Sequence, residues 1–272
     1  MPELPEVETT CRGIMPHVCE RRVTAVRVRE RRLRQPISSA LESDFTGQVV
    51  DDVVRRGKYL LLRSAAGTLI MHLGMSGSLR VLGADAPAPG VHDHLDLVFD
   101  DEVIVRLRDP RRFGLALWTR EDPYSHVLLA KLGPEPLEEG FNGAHLYALS
   151  CGRRSAVKTF IMDAHVVVGV GNIYASEALF QAGIHPQRAA GRISMARYER
   201  LAQQIQIVLR EAIRQGGTTL RDFSGGDGRP GYFAQRLAVY GREGEPCLSC
   251  GAPIRSIRQA QRSSYFCSSC QS

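Results

Sequence analysis

Four cysteines near the end of the chain constrain its folding more than any other feature. They stand as Cys247-x2-Cys250-x16-Cys267-x2-Cys270. Two CxxC pairs at this spacing suit a ribbon in which each pair occupies a tight turn and aims two sulfurs at one tetrahedral ion. Structural zinc is the expected ion. A pair of disulfides and a rubredoxin-like iron site are the alternatives, although nothing else in the sequence suggests an oxidising compartment. A shell of four sulfurs leaves no open position for catalysis, so one structural Zn2+ and no organic cofactor are expected. Cys11, Cys19 and Cys151 are scattered and read as small apolar fillers.

Upstream of the ribbon a short leading helix gives way to strands and then to helices. Residues 2–14 suit a short helix, because Pro2 and Pro5 fall where proline is tolerated and acids crowd the positive end. Then come VTAVRV (23–28), GQVVDDVVRR (47–56), YLLLR (59–63), TLIMHL (68–73), LDLVF (95–99) and EVIVRLR (102–108). These runs are rich in β-branched residues, often alternate, and predict an antiparallel sandwich or barrel. The segment 132–142, LGPEPLEEGFN, breaks the pattern with two prolines, two glycines and three acids, and reads as a domain joint. Beyond it the period is helical, most clearly over 173–183 and 194–215. The stretch SGGDGRPG (224–231) reads as a glycine-rich mobile loop. A chain of 272 residues holds one large or two ordinary domains.

Charge favours an anionic partner. The chain has 35 Lys and Arg against 29 Asp and Glu, a net charge of +6. Residues 1–136 are balanced at 19 of each sign, whereas residues 137–272 hold 16 basic and 10 acidic side chains. Only Lys58, Lys131 and Lys158 are lysines. No apolar run approaches the roughly 18–20 residues of a membrane span, and the acidic, proline-bearing start does not resemble a signal peptide. A soluble, cytoplasmic protein that does not enter membranes is expected.

Several short motifs could carry chemistry. Removal of Met1 would leave Pro2 as a secondary amine, and an α-amino group has a pKa of about 7.7–8.0, lower still at the positive end of a helix. Such an amine can attack an electrophilic carbon to give an iminium, with Glu3 and Glu6 within one turn to move protons. Met-Pro starts and acidic helix caps are common, so this motif alone decides nothing. DPRRFG (109–114) sets two arginines and a phenylalanine in one turn, a guanidinium and a ring suited to a base stack. HLGMSG (72–77) adds Met75 on a glycine-flanked turn. GVGNIYASEALF puts Asn172 at a helix start able to offer N–H groups to a phosphate. Arg262, five residues before Cys267, could meet another.

Taken in order, MPELPEVET, RRGKYLLL, HLGMSGSLR, DPRRFG, GVGNIYASEALF, GGTTLRDF, GRPGYFAQRLAVYGR and the CxxC pairs resemble the bacterial formamidopyrimidine-DNA glycosylase family across essentially the whole chain. The resemblance implies a multidomain α+β fold. A catalytic antiparallel β-sandwich flanked by helices would span 1–133, a helical helix–two-turn–helix domain 134–236, and a four-cysteine zinc finger 237–272. It implies excision of oxidised purines, 8-oxoguanine and formamidopyrimidines, from double-stranded DNA, preferably opposite cytosine, followed by strand cleavage through β,δ-elimination. A monomer is expected.

By the same resemblance Pro2 is the nucleophile at the sugar C1′ and Glu3 the acid/base that helps open the deoxyribose ring. Lys58 and Arg262 complete the catalytic set by binding phosphates beside the lesion. Glu6, Met75, His94, Arg111, Phe113, Asn172 and Arg153 form the DNA-binding set. In it Asn172 holds a phosphate, Met75 and Phe113 fill the stack, and Arg111 faces the orphaned cytosine. Residues 218–233 would form the loop over the flipped base. One departure is His165, which stands where many members have lysine. Two rivals remain. The endonuclease VIII branch prefers oxidised pyrimidines, but Leu4, Met75, Arg111 and Phe113 favour the purine enzyme. A non-catalytic zinc-ribbon DNA binder would show steep salt dependence without turnover.

Overall fold

A computed structural model describes residues 2–216 and 237–272; the expected loops at 224–231 and 218–233 lie outside them. The chain divides into two compact units, one running to Ala130 and the other holding Lys131–Gln215 and the described residues up to Ser272.

In the first unit, helix α1 (Leu4–Val18) precedes β1 (Val23–Val28) and helix α2 (Ala40–Phe45). A meander follows, β2 (Asp52–Arg56), β3 (Tyr59–Ser64) and β4 (Gly67–His72). Then come β5 (Ser78–Leu82), β6 (Asp93–Phe99), β7 (Ile104–Arg108) and β8 (Leu115–Thr119). Two four-stranded antiparallel sheets result, ordered β1-β6-β7-β5 and β2-β3-β4-β8. Their apolar faces share one core: Val26, Leu97 and Leu107 of the first sheet and Leu60, Leu62 and Leu69 of the second. Val7, Ile14 and Val18 of α1 close it at helical spacing. A sandwich buries both sheets this way.

Within the first sheet, Arg106 grips the fully buried Asp96 across the strand pair with two contacts of 2.9 Å. Burial alone would raise the Asp96 carboxyl. Hydrogen bonds from Arg29 and Arg106 outweigh it and hold the group below its ordinary value.

The second unit is built on α3 (Gly143–Ser150), α4 (Val157–Ile161), α5 (Asn172–Ala182) and α6 (Met195–Arg214). Helix α6 buries Tyr198, Leu201, Ala202, Ile205, Leu209 and Ala212, one face at helical period. Helix α5 stops at Gly183, whose φ of 69° supplies the left-handed cap that other residues adopt poorly. The chain ends in a hairpin, β9 (Arg255–Gln259) and β10 (Arg262–Phe266), whose two-residue turn holds Ala260 and Gln261 at φ 44° and 62°. Phe180 of α5 packs with Val239, Ile254 and Cys267, tying ribbon to helix. Among the described residues no helix is long and apolar enough to cross a membrane.

The expected sandwich and the change to helices are therefore present, with local differences. The strand foreseen over 47–56 starts only at Asp52, because Val49 makes a single bridge to Arg22. The strand foreseen over 102–108 starts at Ile104, after a turn with Glu102 at φ 63°. Helix α1 continues to Val18, past residue 14, with Pro16 in its last turn. Strands β5 and β8 and helix α2 were not anticipated; they are five or six residues long and carry no period of their own.

Candidate functional site

In the first unit, α1 presents its positive end at Pro2. Glu3 is the N-cap, and its backbone N–H donates to Glu6 Oε2 at 2.8 Å, one half of a capping box. Both acids are buried, at 1% and 5% exposure, while Pro2 is partly exposed. The proline ring is thus attached to a backbone whose direction Glu6 fixes, with two carboxyl groups within one helical turn.

Lys58 follows Gly57 in the two-residue turn between β2 and β3. Gly57 has φ 58°, a backbone that admits glycine with least strain. Near Lys58 stands His72, paired across the strands with Tyr59 at 4.8 Å between rings. His72 Nδ1 accepts the Gly74 N–H at 2.9 Å. Burial, then the positive charges of Lys58 and Arg34, push its pKa from 6.5 down to about 4. His72 therefore presents a neutral ring at neutral pH.

That shift predicts a pH dependence. The unfolded chain takes up a proton on this ring as pH falls below 6.5, whereas the folded ring resists it until about pH 4. Stability from the neutral ring is present above that window and is lost as pH falls through it. The full shift corresponds to roughly 3 kcal/mol. Urea midpoints at about pH 7 and about pH 5 should differ less in His72→Gln than in the parent. An equal difference in both proteins would remove His72 as the source.

Two turns of the first unit carry exposed apolar side chains on a rigid base. Met75 is 43% exposed and Phe113 45%. The guanidinium of Arg111 lies 4.8 Å from the centre of the Phe113 ring, within cation–π range. Beside them Arg112 adopts φ 56°, unusual for a residue with a side chain, and contacts Glu30 at 3.2 Å. His94 sits beneath, only 4% exposed, with Nε2 2.8 Å from the Asp109 carbonyl oxygen. Its ring braces the DPRRFG turn.

In the second unit, Asn172 opens α5. Its Oδ1 accepts from Lys158 Nζ at 2.7 Å, and its Nδ2 donates to the Ser263 carbonyl at 3.0 Å. Lys158 is 2% exposed and also reaches Ser264 Oγ at 2.8 Å, binding the start of α5 to strand β10. Lys158, Asn172 and the exposed Arg262 line one pocket of about 400 Å³. A helix N-terminus, an ammonium and a guanidinium make that pocket suited to an anion. Arg153 is exposed after α3, and His165 is exposed with Nδ1 2.8 Å from Asp163 Oδ1.

The four expected ligand cysteines converge. All four sulfurs lie within 4.8 Å of one another, with Cys247–Cys270 at 3.9 Å and Cys250–Cys267 at 3.5 Å. Sulfurs about 2.3 Å from a tetrahedral centre stand roughly 3.8 Å apart, so the cluster fits a four-thiolate ion. No disulfide links them. The Ser249 N–H points at Cys247 Sγ at 3.4 Å, supporting the thiolate from outside.

Reading the sequence did not single out His72, Asp109, Lys158 or Glu177 for a role. His72 and Asp109 lie inside motifs that were noticed for other residues. Lys158, as one of three lysines, was the only one with a compositional signal.

Comparison with known proteins agrees with this geometry. Residues 1–116 match the model of the formamidopyrimidine-DNA glycosylase N-terminal domain, 132–224 its H2TH domain, and 244–272 the zinc finger found in FPG and IleRS. A formamidopyrimidine-DNA glycosylase of Methylococcus capsulatus is 60% identical over 271 residues, covering 100% of both chains. A Lactococcus lactis FPG mutant in complex with Fapy-dG containing DNA superposes with a TM-score of 0.89 at 33% identity, over 99% of each chain. A MutM in complex with carbocyclic 8-oxo-G containing DNA gives a TM-score of 0.89 at 32% identity, again over 99% of each. On sequence and fold, the chain belongs to the formamidopyrimidine-DNA glycosylase family.

Proposed function

We propose that this protein is a bifunctional DNA glycosylase and AP lyase of base excision repair. Its substrates are oxidised purines, 8-oxoguanine and formamidopyrimidines, in double-stranded DNA, preferably opposite cytosine. The observation that carries this reading is the head of α1, where Pro2 adjoins a buried N-cap glutamate held by a second buried glutamate. With Met1 removed, the ring nitrogen of Pro2 attacks C1′, the bond from C1′ to the base breaks, and the base leaves with a proton. Glu3 handles the protons of sugar-ring opening. The resulting iminium acidifies the neighbouring C2′ protons, so β-elimination breaks the bond to the 3′ oxygen and δ-elimination the bond to the 5′ oxygen. No metal is needed for these steps.

A base inside a duplex must leave the stack first, which costs a few kcal/mol. Met75 and Phe113 fill the gap, Arg111 reads the cytosine left behind, and His94 keeps their turn in place. Lys58, Asn172 and Arg262 hold phosphates, and Arg153 contacts the DNA. The four cysteines hold one Zn2+, which shapes the ribbon for DNA and takes no part in bond breaking. The division into 1–133, 134–236 and 237–272, a monomeric state and a cytoplasmic, nucleoid-associated location belong to the same reading. His165 in place of the usual lysine retunes lesion recognition.

Borohydride added during incubation with an 8-oxoguanine:cytosine duplex tests the central step. The expected result is a covalent protein–DNA adduct, sharply reduced in Pro2→Gly and impaired in Glu3→Gln. Absence of any adduct with active, correctly processed enzyme would overturn the amine mechanism.

A further inference from the structure

Asp109 is fully buried beneath side chains that are not. Its Oδ1 accepts the Ser76 hydroxyl at 2.7 Å and lies 3.3 Å from the Arg111 N–H, while its Oδ2 accepts the Gly114 N–H at 2.8 Å. Ser76 follows Met75 in the first turn; Arg111 and Gly114 flank the second. One carboxylate thus gathers donors from both turns that carry the exposed apolar groups. Glycine lets the turns touch: a Cβ at Gly74 would lie 2.4 Å from the Phe113 carbonyl carbon, and one at Gly114 would lie 2.9 Å from the His72 carbonyl oxygen.

We propose that Asp109 is a positioning residue that locks Met75, Arg111 and Phe113 into a single preformed wedge, so that filling the emptied stack and reading the opposite base are one event. This rests on the wedge role given to those residues under the proposed function. The physical reason is ordering. Loose side chains on independent turns would have to be fixed when DNA binds, at the moment the stack is opened. Here Asp109 holds the two turns that carry them in one arrangement beforehand. Asparagine replaces the carboxylate poorly. With its oxygen toward Ser76 its NH2 group faces the Gly114 N–H; with its oxygen toward Gly114 that group faces the Arg111 N–H, and only the Ser76 hydroxyl can turn to accept it.

The test compares two substrates in one duplex: an intact 8-oxoguanine, whose expulsion needs the wedge, and a preformed abasic site, which has no base to expel. The quantity read is the ratio of the single-turnover rates, since a smaller folded fraction lowers both rates in proportion and leaves the ratio alone. Losing a hydrogen bond to a charged group is expected to lower the ratio about tenfold in Ser76→Ala and in Asp109→Asn. Ser76→Thr, which keeps the hydroxyl, should restore it. Ser76→Ala carries the test where Asp109→Asn gives no folded protein. A ratio unmoved in Ser76→Ala while Met75→Ala lowers it would overturn the role of Asp109 and leave the wedge standing. A ratio unmoved in Met75→Ala and Phe113→Ala would remove the wedge, and this proposal with it.

Discussion

Cys267→Ser is expected to yield protein with well under one equivalent of bound zinc and with weakened affinity for duplex DNA. Cys267 is wholly buried in the ribbon core with Val239 and Ile254, and its Sγ lies 3.5 Å from that of Cys250. A serine hydroxyl is a poor ligand where a thiolate is required, and three remaining sulfurs would keep little of a binding energy that reaches about 10–16 kcal/mol in isolated zinc fingers. A small apolar core with Phe180 and the bonds of Lys158 and Asn172 to β10 hold the segment from one side, and the metal closes the other. The hairpin β9–β10 has five residues per strand, and its turn keeps Ala260 and Gln261 at positive φ without glycine. Gln271 helps, accepting the Cys267 N–H at 2.8 Å and donating to the Ile184 carbonyl at 2.8 Å. Metal analysis of the purified variant, with anisotropy titration of a labelled duplex at fixed salt, checks the expectation. Undiminished zinc would exclude Cys267 as a ligand; undiminished affinity would exclude the ribbon from DNA binding.

How much of this could be read from the residues depended on the distance between partners. The strands YLLLR and LDLVF announce themselves as short apolar runs buried at nearly every position, and helix α6 by a buried face at helical period. Strand β5, SLRVL, did not, since a five-residue run after a glycine turn resembles many loops. The site divides along the same line. Pro2, Met75 and Phe113 stand out as candidates, and the converging cysteines as ligands, because each stands in a motif whose chemistry is local. The supporting residues act through partners remote in the chain: Asp109 and Ser76 are 33 positions apart, Lys158 and Ser264 106. A buried aspartate in a turn and a buried lysine on a helix look like ordinary polar residues until the fold brings their partners to them. His94 was expected as a DNA contact, and the fold adds that its ring is spent on the backbone of the DPRRFG turn.

Glu177 is the most consequential of these hidden residues. It lies on α5, is 5% exposed, and accepts three backbone hydrogen bonds, from Ala238 at 2.8 Å, Val239 at 3.0 Å and Tyr240 at 2.8 Å. A single carboxylate thus neutralises three successive backbone donors of one turn. The turn in turn delivers Tyr240, whose hydroxyl lies 3.4 Å from Asn172 Nδ2 and whose ring packs 5.0 Å from that of Tyr265. Removing the carboxylate leaves those donors buried and unmatched. Glu177→Ala is therefore expected to destabilise this part of the second unit by about 3–5 kcal/mol. Glu177→Gln should do less harm, because one oxygen still accepts while its NH2 group meets the remaining donors badly. Hydrogen exchange reads the effect directly: the amides of Ala238, Val239 and Tyr240 should be slow in the parent and fast in Glu177→Ala. If the loosened turn also releases Asn172, duplex affinity will fall with them. Slow exchange persisting in Glu177→Ala would mean that water or neighbouring carbonyls satisfy the turn, and that the carboxylate is dispensable there.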